Sequence, residues 1–196
     1  MRNTYTYDTQ GNLLNHSYDD GSNTYSYSHT YDAEDNQLSE YFYDSKGHNH
    51  IYTYTYDLQA NLLTASFDTD GDDHIDKVTT YEYDDRGNKI AARTTDDIDI
   101  TKNVYNYVYD ADDNLLIEYY YDDFSFDHIY TYTYDTEGHK LTEHIDENGD
   151  NDTEEIRIHT YDTHGNLILT QIDFNADGAF DGPYDSYMEQ TWLAIF

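Results

Sequence analysis

A Tyr-Asp pair, followed at fixed distances by Asn and then Leu, returns seven times along this chain. That recurrence constrains the fold more than any other feature. The pairs stand at Tyr7-Asp8, Tyr31-Asp32, Tyr56-Asp57, Tyr83-Asp84, Tyr109-Asp110, Tyr134-Asp135 and Tyr161-Asp162. Successive tyrosines are 24, 25, 27, 26, 25 and 27 residues apart. Four residues after each Asp comes Asn12, Asn36, Asn61, Asn88, Asn114, His139 or Asn166. Two residues later comes a fixed aliphatic: Leu14, Leu38, Leu63, Ile90, Leu116, Leu141 or Ile168.

Each period reads as two strands and two turns. The first strand alternates Thr and Tyr, as in Thr4-Tyr5-Thr6-Tyr7, Thr53-Tyr54-Thr55-Tyr56 and Thr131-Tyr132-Thr133-Tyr134. A period of two with aromatic and β-branched residues predicts a strand. The first turn, Asp-x-x-Gly-Asn, pairs an Asp that bonds nearby backbone N–H groups with a Gly that accepts positive φ. The second strand runs from the fixed aliphatic to a second Asp: Asp19, Asp44, Asp68, Asp96, Asp122, Asp146 or Asp173. The two Asp positions are 11 or 12 residues apart. With 11, the fixed aliphatic shares a face with the residue before the second Asp, as Leu63 does with Phe67. With 12, as from Leu116 to Tyr121, the parity breaks and a bulge in the second strand is expected. Seven such units predict an all-β fold of fourteen antiparallel strands, with tyrosine ladders as the core. Residues 1–182 form this array; residues 183–196, beginning at Pro183 and holding the single Trp, form a last strand, cap or docking segment.

The charge is extreme: 42 acidic against 9 basic residues, −33 in total. That disfavours nucleic acid and anionic membranes as partners and favours cations. Such a charge at low hydrophobicity often marks disorder, but 25 tyrosines in strict alternation oppose that. There is no cysteine, so neither disulfides nor thiolate metal sites are available. No stretch is apolar enough to span a bilayer as a helix. The chain opens without a signal peptide, directly in repeat-like sequence, and is expected to be a processed part of something longer.

The pattern Tyr5-Thr6-Tyr7-Asp8-Thr9-Gln10-Gly11-Asn12-Leu13, with its six later and less complete copies, resembles the YD repeat of the RHS/YD-repeat proteins. The resemblance covers the chain up to about Gly182. It implies long antiparallel sheets that spiral, often into shells around toxins, on secreted or cell-surface proteins. The period here is long, and no aspartyl autoprotease motif or separate toxin segment accompanies it.

Three of the second turns are distinctive. They run from Asp68 to Asp76, from Asp146 to Glu154 and from Asp173 to Asp181. In each, oxygen-bearing side chains fall at the first, third, fifth and ninth positions. These are Asp68, Asp70, Asp72 and Asp76; Asp146, Asn148, Asp150 and Glu154; Asp173, Asn175, Asp177 and Asp181. Alternate carboxylates on a tight loop suit Ca²⁺, which takes six to eight oxygens; Mg²⁺ suits them less. The loops look like the Asp-rich calcium loops of dockerin and thrombospondin type 3 repeats. The twelfth-position Glu of an EF-hand is absent, so carbonyls of His74, Asp152 and Ala179 with water are expected to complete the shells. Turn-forming propensity alone also explains Asp, Asn and Gly here, and it suffices for the turns that begin at Asp19, Asp96 and Asp122.

The histidines are scattered in sequence without zinc spacing, and no nucleophile-base or paired-carboxylate constellation stands out, so no enzyme is expected. The leading expectation is an extracellular structural or adhesive protein with calcium-stabilised turns, self-assembling into a fibre by edge-strand pairing. The alternatives are a calcium-dependent carbohydrate-binding module that presents tyrosines to glycans, and a fragment of an RHS/YD-repeat toxin shell.

Overall fold

The structure is a computed structural model, and it describes residues 1–96, 101–122 and 127–181. Fourteen strands form one antiparallel sheet whose strand order is the chain order. They are β1 (Arg2–Tyr7), β2 (Leu13–Asp19), β3 (Thr24–Tyr31), β4 (Gln37–Asp44), β5 (Asn49–Tyr56), β6 (Leu62–Asp68), β7 (Lys77–Tyr83), β8 (Lys89–Asp96), β9 (Thr101–Tyr109), β10 (Leu115–Asp122), β11 (His128–Tyr134), β12 (Lys140–Asp146), β13 (Glu155–Tyr161) and β14 (Leu167–Asp173). Odd strands end at the tyrosine of the Tyr-Asp pair and even strands at the second Asp, as the sequence predicts. No helix occurs among the described residues, so none is long and apolar enough to cross a membrane. The expected C-terminal segment, residues 183–196, lies outside the described residues, as do Asp97, Asp99, Asp123 and Phe124 of two further turns. The chain divides into two compact units, Met1–Asn103 and Val104–Phe196.

In the first unit the Tyr-x-Tyr alternation of the odd strands sends their rings to one face, while Tyr41 and Tyr43 of β4 lie on the other, opposite Ser28 and Ser26. Tyr5 stacks on His16 at 4.5 Å between ring centroids. Farther along, Tyr27 meets Phe42 at 4.9 Å, Phe42 meets His50 at 4.7 Å, His50 meets Tyr52 at 4.8 Å and Tyr52 meets Phe67 at 5.0 Å. The opposite face carries hydroxyls in register: Thr4 with Ser17, Thr30 with Ser39 and Thr55 with Thr64. Tyrosine ladders were expected as the core. Instead the interior rings are half-buried, because each is covered by rings on the flanking strands and not by a second layer. The buried apolar residues among those described are Ala65, Ala91, Ala92 and Ile145.

In the second unit, strands β11 to β14 keep the same order, and Thr133 pairs with Thr142 at 2.7 Å on the hydroxyl face. The ring face here holds charge. Arg157 bonds Glu155 and reaches Glu143 at 3.4 Å, and Lys140 lies 4.9 Å over the Tyr132 ring. Burial first, then Glu118 and Glu143, raise the Tyr132 phenol well above its ordinary range.

The bulge falls elsewhere than expected. In the first hairpin Thr6 pairs with Asn15 and Tyr7 with Leu13, leaving Leu14 as the extra residue. The same step leaves out Leu38, Leu63, Ile90, Leu141 and Ile168. The fixed aliphatic is thus the bulge residue of these hairpins, whatever the spacing. In the 12-residue copies at β4 and β8 the ladder beyond that bulge is continuous. The added residue lengthens the strand pairing instead of interrupting it. Its parity effect survives at the strand end: Asp68, Asp146 and Asp173 pair with Ile51, Ile129 and Ile156, whereas Asp44 pairs with Tyr25 on the ring face.

Candidate functional site

The three Asp-rich loops share one hydrogen-bond plan. The first carboxylate is buried: Asp68 is 1% exposed, Asp173 3% and Asp146 6%. Burial of a charge is tolerated only when its oxygens are bonded, and the loop's own backbone does this. Asp68 accepts from the N–H groups of Gly71 at 2.6 Å and Asp73 at 3.0 Å. Asp146 accepts from Gly149 at 2.6 Å and Asn151 at 2.8 Å. Asp173 accepts from Gly178 at 2.8 Å. The ninth residue closes the ring. The N–H of Asp76, Glu154 and Asp181 donates to the carbonyl of Phe67, Ile145 and Ile172, while its carboxylate accepts from the N–H of Thr69, Glu147 and Phe174. Positions four and six take positive φ: Gly71 and Asp73, Gly149 and Asn151, Ala176 and Gly178.

This plan brings some of the expected donors together and not others. Carboxylate oxygens of Asp68, Asp70 and Asp76 lie within 4.8 Å of one another, and so do those of Asp146, Asp150 and Glu154. Two oxygens bound to one Ca²⁺ at 2.3–2.6 Å are at most about 5 Å apart, so both sets fit a shared hard cation in donor type and spacing. Asp72 is outside the first set and accepts from the His74 N–H at 2.9 Å. Asn148 donates to Glu154 at 3.2 Å. In the third loop Asp173, Asp177 and Asp181 form no such group among the described residues, and Asn175 donates to Asp177 at 3.2 Å.

The first turns are capped as expected. Asp57 Oδ1 accepts from the N–H of Gln59 and Asn61, and its Oδ2 accepts from the Asn61 amide at 2.9 Å. That amide bond, before the backbone donors, holds the Asp57 carboxyl below its usual range. The turn from Asp44 to His48 has the same geometry, a likeness the sequence carries in Tyr43-Asp44-Ser45-Lys46-Gly47-His48. Its His48 imidazole lies 2.8 Å from Asp44, which is pulled down to about 2, chiefly by that bond.

One contact escapes sequence reasoning altogether. The tyrosine of a Tyr-Asp pair reaches back to the preceding hairpin and donates its hydroxyl to the first carbonyl of that hairpin's second strand. Tyr31 donates to Leu13 at 3.1 Å, Tyr56 to Gln37 at 2.9 Å and Tyr83 to Leu62 at 3.0 Å. Tyr134 donates to Leu115 at 2.8 Å and Tyr161 to Lys140 at 2.9 Å. On β1 the equivalent Tyr7 has no preceding hairpin among the described residues and is 58% exposed.

These features define a hairpin-repeat array in which hairpins are clipped together by tyrosine hydroxyls. No protein-family model matches the chain. No curated protein sequence matches it either. Among solved structures it resembles one described as TcdB2-TccC3-Cdc42, with a TM-score of 0.69 at 18% identity over 91% of this chain. The match spans only 9% of that much longer chain. Matches to TcdB2-TccC3 (17% identity, 90% of this chain and 12% of that one) and to a porin-like protein from Bacteroides uniformis (13%, 91% and 86%) have TM-scores of 0.49, too low to carry an argument. The first likeness supports an RHS-like fold and no finer statement.

Proposed function

We propose that this chain is a structural, non-enzymatic wall of YD hairpins in a secreted or cell-surface assembly. Further YD hairpins extend it by pairing on its free edge, and Ca²⁺ sets its Asp-rich loops. The observation that carries the reading is the repeated tyrosine clip. At five places it joins a hairpin to the one before through a contact that any YD hairpin supplies, and Tyr7 on β1 makes no such bond among the described residues. The RHS-like likeness supports the same reading, since there a comparable sheet is a small part of a long chain. It favours a segment of a larger shell or array over an isolated binding module. The all-oxygen donors of the loops that start at Asp68 and Asp146 support Ca²⁺ as the cation of this reading. By fixing those turns it fixes the register of the strands they join.

Electron microscopy and sedimentation of the chain in millimolar Ca²⁺, repeated after chelation, test the proposal. Higher-order particles or filaments that a Tyr7→Phe change weakens support edge pairing. Monodisperse particles in both conditions overturn it, and specific signals on a glycan array would then favour the carbohydrate-binding alternative. A melting temperature that does not move with Ca²⁺ overturns the cation part alone.

A further inference from the structure

The sixth first turn, Asp135-Thr136-Glu137-Gly138-His139, is the one whose Asn position holds His. His139 keeps the bond that Asn makes elsewhere, its Nδ1 lying 2.8 Å from Asp135 Oδ2. Its ring also stacks on Tyr161 of the next hairpin at 4.8 Å. Glu137 completes a set: one ring nitrogen of His139 and one oxygen each of Asp135 and Glu137 lie within 4.8 Å of one another.

The set opens on a groove of about 790 Å³ between the sixth and seventh first turns, also lined by His159, His164 and Asp162. Three histidines that sit 20 and 5 residues apart in sequence thus share one cleft, because the period lays like positions side by side. His164 is exposed, with its Nδ1 4.0 Å from Asp162. His159 meets Thr170 Oγ1 at 2.9 Å through Nδ1, and its buried Nε2 has no hydrogen-bond partner. Burial lowers the His159 pKa. Two places in the fold act as contrasts. The adjoining groove, lined by Asp110, Asn114 and Glu137, has no histidine. The Asp44–His48 pair repeats the Asp–His bond but carries Lys46 where Glu137 stands.

We infer that this groove is a binding site for a borderline divalent transition ion of the Zn²⁺ class, held by Asp135, Glu137 and His139 with His164 closing from the seventh turn. Mixed imidazole and carboxylate donors select such ions, whereas the all-oxygen loops suit Ca²⁺.

Calorimetric titration with Zn²⁺ in millimolar Ca²⁺, which masks the all-oxygen loops, is the test, with Co²⁺ as a spectroscopic probe of nitrogen ligation. His139→Asn restores the residue found in the other six first turns and so leaves the fold intact, which thermal melting checks. One equivalent of Zn²⁺ is expected, with affinity lowered at least ~10-fold by His139→Asn and by Glu137→Gln and unchanged by His48→Asn. Absence of a saturable Zn²⁺ site in the unaltered chain overturns the assignment. So does equal binding by His139→Asn, or an equal loss in His48→Asn, which would mark diffuse attraction to an acidic surface.

Discussion

The hydroxyl of Tyr56 donates to the backbone carbonyl of Gln37, 2.9 Å away in the preceding hairpin. The two residues belong to different hairpins, so this bond belongs to the array and not to either unit alone. A tyrosine at this place does two jobs: its ring fills the face and its tip fixes the neighbour. Phenylalanine would do only the first.

Tyr56→Phe should therefore cost about 1 kcal/mol, the usual net worth of one hydrogen bond. Tyr7→Phe should cost close to nothing in the isolated chain, since Tyr7 is exposed and clips nothing. Urea unfolding midpoints of the two variants against the parent check this. Equal losses would show that the rings, and not the hydroxyls, carry the contact.

The loop carboxylates separate turn-building from cation binding. Asp68→Ala removes a buried acceptor from two backbone donors of the loop and should lower stability by about 1–3 kcal/mol even without metal. Asp70→Ala touches an exposed side chain and should stay within ~0.5 kcal/mol in chelator. It should nevertheless reduce the rise in melting temperature that Ca²⁺ produces. Calorimetry with and without Ca²⁺ reads both effects.

Acid should act on the turn caps. The carboxyls of Asp44, Asp57 and Asp162 are depressed by bonds from His48, Asn61 and Asn166. A depressed folded-state pKa gives stability that is present above the unfolded value near 4 and is lost as pH falls through the folded value. Relief of self-repulsion works the other way, since the net charge of −33 shrinks as ordinary carboxyls protonate. Stability should first rise on acidification and then fall between about pH 4 and pH 2. High salt should remove the rise and keep the fall. A circular-dichroism melt series across pH, at two salt concentrations, measures it.

Glycine at a positive-φ position matters most where another residue lies against it. Gly71 has φ of 75°, and a Cβ there would come 2.5 Å from the Asn49 Cβ, which cannot swing away. Gly11 has φ of 99° with nothing within 4 Å. Gly11→Ala should cost roughly 1 kcal/mol of backbone strain, and Gly71→Ala clearly more. Thermal melts of the two variants decide whether the Asp68 loop is held by its neighbour.

Much of this fold is written locally. Thr53-Tyr54-Thr55-Tyr56 shows its alternation, and Asp57 and Asn61 show their turn, because strand period and turn chemistry act over a few residues. The bulge at Leu14 is not visible that way. It depends on how the ladder meets the turn, a matter of pairing and not of composition. The spacing of oxygen-bearing residues marks the Asp-rich loops, and the count of 11 turns their first residues, Asp68, Asp146 and Asp173, away from the rings. The histidines 139, 159 and 164 look scattered along the chain. Superimposing the periods places His164 where Glu137 stands one repeat earlier, and that alignment, unlike residue spacing, points to their shared groove. The tyrosine clip leaves no local mark, because its acceptor is a backbone carbonyl and any residue supplies one.

The bulge and the clip together set what genetic change the array tolerates. A deletion of one complete period joins a Tyr-Asp to an earlier second strand, and the displaced tyrosine finds another first carbonyl in the same place. A deletion of a single residue in a second strand instead turns its far end over, exchanging ring positions for hydroxyl positions up to the next turn. Whole-period changes in length thus keep the clip in place, while a one-residue change in a second strand alters which side chains its far end presents to each face, as the 11- and 12-residue copies of this chain do.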